Sequence, residues 1–177
     1  DTSKTGYTFK GWYTKASGGT KIDDFQYKTQ TVYAQWQPNT YLLTFDANGG
    51  TVSPHNKEVT YDSTYGTLPT PTRTGYTFIG WFFDNDKQLK NTDIVKITSD
   101  ITVKAKWKAN SYTINFYNGS TKLGSKTFTY DKPDLLPQFS SFHIDKTGYT
   151  FAGWGLSNSD KKPSYTDGQS IINLADI

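Results

Sequence analysis

The sequence predicts a tandem array of small, mostly-β units, and three observations carry that prediction. The segment Thr-Gly-Tyr-Thr-Phe-x-Gly-Trp stands at residues 5–12, 74–81 and 147–154, with its tryptophans 69 and 73 residues apart. A fixed period means one supersecondary unit copied in line. Other landmarks keep the same step: Ala34-Gln35-Trp36 returns as Ala105-Lys106-Trp107, Asn39-Thr40-Tyr41 as Asn110-Ser111-Tyr112, and Val59-Thr60-Tyr61-Asp62 as Phe128-Thr129-Tyr130-Asp131. The composition is the third observation. Aromatic residues make up 16% of the 177 residues, Glu58 is the single glutamate, and good helix formers are scarce. The period divides the chain into a partial repeat at 1–38, a complete repeat at 39–109 and a third at 110–177 that stops before its closing strand. Units of this size bury a modest share of their surface, and large rings fill a small core efficiently.

The complete repeat shows the elements in order. Tyr41–Phe45 is β-branched and aromatic and ends at Asp46-Ala47-Asn48-Gly49-Gly50, where Asn-Gly tolerates the positive φ of a tight turn. A second strand spans about Lys57–Tyr61. Gly66–Pro71 follows, and its two prolines forbid a helix interior or a central strand, so it is an extended crossover. The signature strand comes next, Tyr76–Phe83. Strict alternation would put Tyr76, Phe78 and Gly80 on one face and Ile79 and Trp81 on the other; a bulge at Gly80 would swing Trp81 inward beside Phe78. Asp84–Lys90 is a polar loop and Asp93–Ile97 a short helical turn or a bridge. Ile101–Trp107 alternates cleanly, with Ile101, Val103, Ala105 and Trp107 inward and the lysines outward. Each unit therefore has four principal strands and at most one short helix, an α+β (mostly β) roll.

The third repeat departs where Gln138–Ile144, rich in phenylalanine, replaces a bare Thr-Pro-Thr linker. The chain begins in mid-unit, and Ile177 stands at the position of Ile101. It is thus expected to be a segment of something longer. Strand 31–36 is of the type the third repeat lacks, so fraying at the ends or strand exchange between molecules is expected.

The pattern Tyr-x-x-x-Phe-Asp-x-Asn-Gly-Gly, Thr-Tyr-Asp-x-x-Tyr-Gly-x-Leu-Pro, Thr-Gly-Tyr-Thr-Phe-x-Gly-Trp and closing Ala-x-Trp resembles the Listeria–Bacteroides repeat, also called the internalin-B B-repeat. Nearly the whole chain is covered. The resemblance implies tandem small β-grasp (ubiquitin- or SUMO-like) units in secreted or wall-anchored bacterial surface proteins. It implies no catalytic residues.

The residues themselves weigh against catalysis. Cysteine and methionine are absent, and the two histidines, His55 and His143, lie in non-equivalent loops; a catalytic or metal site needs convergent partners. The loop Asp84–Gln88 lacks the spaced ligands of a calcium loop, and turn chemistry explains it better. No cofactor or metal is expected. The net charge of +3 comes from scattered lysines, whereas nucleic-acid binders concentrate theirs in a stripe. No run of about 18 apolar residues suggests a membrane span. Trp12, Trp81 and Trp154, with Trp36 and Trp107, recur in register, as a copied core requires. Tyr13 and Phe83 flank that core and are the surface candidates for binding. Phe139 and Phe142 are candidates too, although a loop folded over its own unit explains them more simply. The expectation is a non-enzymatic stalk or spacer outside the cell, on the bacterial surface or wall, with a protein-interaction (adhesion) role toward a host or neighbouring-cell protein. The alternative is a carbohydrate-binding module attached to a secreted enzyme.

Overall fold

A computed structural model of the chain describes residues 3–25 and 29–173. The expected fraying of the ends, and Ile177 itself, lie outside those residues. The chain divides into two compact units, Asp1–Thr72 with Phe78–Lys106, and Arg73–Thr77 with Trp107–Ile177.

In the first unit, β1 (Tyr7–Tyr13), β2 (Lys21–Ile22) and β3 (Tyr33–Pro38) form an antiparallel sheet in the order β2-β1-β3. The register of β1 against β3 shifts between Phe9 and Gly11, so Gly11, the counterpart of Gly80 in the first copy, sits at an irregularity of the ladder. A five-stranded sheet follows. It is built from β4 (Thr40–Asp46), β5 (Asn56–Thr60), β6 (Tyr76–Phe82), β7 (Gln88–Leu89) and β8 (Ile101–Ala109), in the order β5-β4-β8-β6-β7. The hairpin β4–β5 closes after Asn48 and Gly49, both at positive φ (46° and 86°), as its Asn-Gly sequence requires. β8 runs parallel to β4. Consecutive antiparallel strands need only a tight turn, but this parallel pair needs the long path through the proline crossover and β6.

Packing explains the alternation. Leu43 and Phe45 of β4 and Val103 and Ala105 of β8 are buried, together with Val59, Tyr65, Leu89 and Val95. The outward lysines of β8 pair with the β6–β7 turn, Lys104 Nζ to Asp84 at 3.2 Å and Lys106 Nζ to Asp86 at 2.6 Å. These pairs are exposed and add little stability. Segment 84–90 is therefore not all loop. Its end forms β7, because Leu89 finds a buried place opposite Trp81. Ile94 makes a bridge to Thr64 rather than a helical turn.

In the second unit, β9 (Ser111–Asn118) and β10 (Thr121–Thr129) make a hairpin, and β11 (Asp134–Leu135) pairs with β12 (Ser170–Ile171). Phe116, Phe128, Leu136, Trp154 and Ile171 form its core. The third signature segment does not form the expected strand; Trp154 makes one bridge, to Tyr165. In the second repeat β6 lies beside β8. In the third repeat the position of Ile101 falls to Ile177, outside the described residues. Among the described residues there is no α-helix, only a 3-10 turn at Phe139–Phe142.

Candidate functional site

The signature segment does two separate jobs. Its tryptophan faces inward. Trp81 is 2% exposed, packs on Phe45 at 4.9 Å and Phe78 at 5.3 Å, and donates its indole N–H to the Pro69 carbonyl at 2.8 Å. Trp154 is 8% exposed, packs on Phe116 at 4.8 Å, and donates to the Pro137 carbonyl at 3.3 Å. These rings are covered, and their one polar group is satisfied, as a buried indole requires. An open groove of about 430 Å³ lies over this region, lined by Pro69, Phe78, Gly80, Gln88 and Leu89. Gln88 occupies the space a Cβ on Gly80 would need.

The glycine and tyrosine at the start of the segment do something else. Gly6 and Gly75 hold positive φ (79° and 77°), a conformation glycine adopts without steric cost. A Cβ on Gly6 would overlap the ring of Tyr61, and one on Gly75 the ring of Tyr130. Each following tyrosine meets that ring edge-on: Tyr7–Tyr61 at 5.6 Å and Tyr76–Tyr130 at 5.5 Å, both at 72°. The Tyr7 hydroxyl donates to Asp62 at 2.6 Å and the Tyr76 hydroxyl to Asp131 at 2.5 Å, each across 55 residues of chain. Asn39 N–H donates to the Gly6 carbonyl and Asn110 N–H to that of Gly75, both at 2.9 Å. Thr8 and Thr77 hydroxyls donate to the side-chain oxygens of Asn39 and Asn110 at 2.6 Å. A cation covers each outer tyrosine ring, Lys4 on Tyr7 and Arg73 on Tyr76, both 3.8 Å from the centroid. The first joint lies wholly in the first unit and the second wholly in the second.

The charges follow the contacts. Hydrogen bonding to Asp62 raises the Tyr7 phenol above its ordinary pKa, and Asp131 does the same for Tyr76. Lys96 first, and Tyr7 second, hold Asp62 below the usual carboxylate range. The backbone N–H of Asp131 donates to the Asn173 side-chain oxygen at 3.1 Å.

Of the four binding candidates, Phe139 and Phe142 meet the same ring, Trp154. Tyr13 is half-buried in β1, opposite Tyr33 and Lys21. Phe83 is half-buried against Tyr65 at 6.4 Å. Phe139 stacks on Phe151 at 4.3 Å, and Phe142 meets Trp154 at 5.9 Å, so both pack on the core of their own unit. Among the described residues no three metal-ligating side chains gather. Sequence reasoning missed the joint, and also a lysine that recurs beside it. Lys57 Nζ donates to the carbonyls of Tyr65 and Thr67 (2.7 and 3.1 Å), while Lys126 Nζ reaches the Leu135 carbonyl at 2.6 Å and Asp134 at 2.9 Å. In the sequence, that lysine shows only as the recurrence of Lys57 and Lys126 at one step ahead of each Thr-Tyr-Asp.

A mostly-β chain with three copies of one signature carries a repeated sequence domain. It belongs to the Listeria-Bacteroides repeat domain family, whose model matches residues 1–35, 41–106 and 112–177. Among its relatives is a protein of Evansella cellulosilytica named a Gly-rich membrane protein, 32% identical over 85% of this chain and 18% of the relative. Another protein of that organism, named a membrane protein, is 30% identical over 85% of this chain and 23% of its own length. Internalin H of Listeria monocytogenes is 42% identical over 45% of this chain and 15% of its own length. The chain thus spans less than a quarter of each of these relatives. None of the three names is that of an enzyme. No solved structure matches the chain. No helix among the described residues is long and apolar enough to cross a membrane.

Proposed function

We propose that the chain is a non-enzymatic stalk segment of a bacterial cell-surface protein, whose repeats carry a head domain outward and offer loops and edges for protein contact. Its units are the repeats 1–38, 39–109 and 110–177. Each is a β-grasp-like unit in which the proline crossover stands in for the usual helix; the sheet order β5-β4-β8-β6-β7, with its parallel β4–β8 pair, supports that assignment.

The observation that carries the stalk reading is the joint made twice with nearly identical distances. A ligand-binding module does not need a repeated link between its copies, but an array that transmits position does, because each repeat contacts its neighbours in line. The names of the relatives, two membrane proteins and an internalin, support a surface location.

The test is made on cells producing the parent protein. Antibodies to the repeats should label intact cells, and deleting the repeats should bury the head domain beneath the wall and lower adhesion without unfolding that domain. Unchanged head exposure after deletion would overturn the stalk role. Glycan binding by the purified chain, lost on Tyr13→Ala or Phe83→Ala, would favour a carbohydrate-binding module instead.

A further inference from the structure

The third copy of the turn is built like the first two, but among the described residues no ring lies over its glycine. Tyr149 N–H donates to the Lys146 carbonyl at 3.0 Å, matching Tyr7 to Lys4 (3.0 Å) and Tyr76 to Arg73 (3.1 Å). Lys146 Nζ lies 4.3 Å from the Tyr149 ring centroid, as Lys4 and Arg73 lie over theirs. Gly148 holds φ 81°, against 79° and 77° at Gly6 and Gly75. The surroundings differ sharply. A Cβ on Gly6 or Gly75 would strike a tyrosine ring, whereas one on Gly148 would meet nothing within 4 Å among the described residues. Tyr149 is 72% exposed. An apolar ring held out to water in a preformed conformation, beside a glycine with open space above it, is a half-made contact.

We propose that Gly148, Tyr149 and Thr150 form a docking site for the Asn…Thr-Tyr-Asp corner of a further repeat that follows in the same polypeptide. The two filled copies define the ligand. A tyrosine ring lies flat over the glycine, the carboxylate beyond it accepts the Tyr149 hydroxyl, and a linker asparagine ties to the Gly148 carbonyl and the Thr150 hydroxyl. A second copy of this chain is the wrong occupant, because its own corners, Tyr61-Asp62 and Tyr130-Asp131, already hold Tyr7 and Tyr76. The linker asparagine also argues for a repeat joined in line, since Asn39 and Asn110 each follow directly on a closing strand. The inference deepens the tandem-stalk reading and rests on it.

The experiment lengthens the chain by a second copy of residues 102–177 after Ile177, which supplies a closing strand and a new corner. A second version ends on residues 102–109 followed by 39–109, in case the first added repeat does not fold. The ring resonances of Tyr149 should move on lengthening from solvent-exposed positions to those of Tyr7 and Tyr76. Residual dipolar couplings of the third and added repeats should then fit one alignment, and Tyr149→Ala should separate them. Tyr149 resonances unchanged beside a folded added repeat would overturn the proposal. So would an equal shift produced in the 177-residue chain by adding more of itself, which would mean docking between molecules. Neither result bears on whether the parent protein is displayed on cells, so the site and the surface role fail separately.

Discussion

The second and third repeats share a signature but not a sheet. In the second, Tyr76–Phe82 is a strand beside β8, and Trp81 lies under it at 2% exposure. In the third, the same residues make a single bridge, yet Trp154 is still covered to 8%. Ring packing therefore survives without the strand. It does so because the Phe139–Phe142 turn folds over Trp154 and Phe151, a part with no counterpart in the second repeat. Strand pairing needs a partner backbone, whereas burial of a large ring needs only apolar surface from any direction.

The largest expected effect sharpens this contrast. Trp81→Ala should cost about 3–5 kcal/mol, the usual range for emptying a core of a large ring. Trp154→Ala should fall at the lower end, because its cover is a loop that can collapse. Unit-resolved melting, followed by hydrogen exchange of β4 and of β9, separates the two. A larger cost at Trp154 would break the comparison.

Next in size is Phe139→Ala, which removes the stacked pair with Phe151. Such pairs contribute about 0.5–1.5 kcal/mol beyond area burial. The loss should appear in the second unit and leave the amides of β4 and β5 untouched. A substitution without effect on Trp154 fluorescence would mean that the insertion is not the cover described here.

The smallest effects concern pH at the joints, whose groups are exposed. Asp62 is held below its ordinary value, so its contribution is present above the unfolded carboxylate pKa and lost as pH falls through the folded one. The Tyr7 and Tyr76 phenols are raised from 10.0, so theirs is present below that value and lost as pH rises through the folded one. Joint stability should be flat around neutrality and weaken at both extremes. Tyr7→Phe with Tyr76→Phe should remove their alkaline decline, read by melting between pH 8 and roughly 11, above the ordinary tyrosine value. A decline unchanged in that double variant would assign it to other tyrosines.

Much of the fold was legible in the sequence for local reasons. Alternation in Tyr41–Phe45 and Ile101–Trp107, the Asn48-Gly49 turn and the prolines at 69 and 71 each act within a few residues. That Trp81 turns inward beside Phe78 was legible from the glycine before it. The strand at Gln88–Leu89 was not, because only Trp81 across the sheet gives Leu89 its buried place. The joint was the larger omission. Tyr76 looked like one more core ring of its strand, whereas its partner stands 55 residues on. No local pattern marks such a pair; the parallel recurrence of Gly-Tyr and Tyr-Asp was its only trace.

The central claim is that Gly-Tyr of one repeat grips Tyr-Asp of the next. Trypsin cleavage after Lys108, at the end of β8 and two residues before Asn110, tests it most directly. Tyr76→Ala should speed that cut while Trp81 fluorescence stays as in the parent chain. An unchanged rate at Lys108, with the substituted protein folded, would contradict the account.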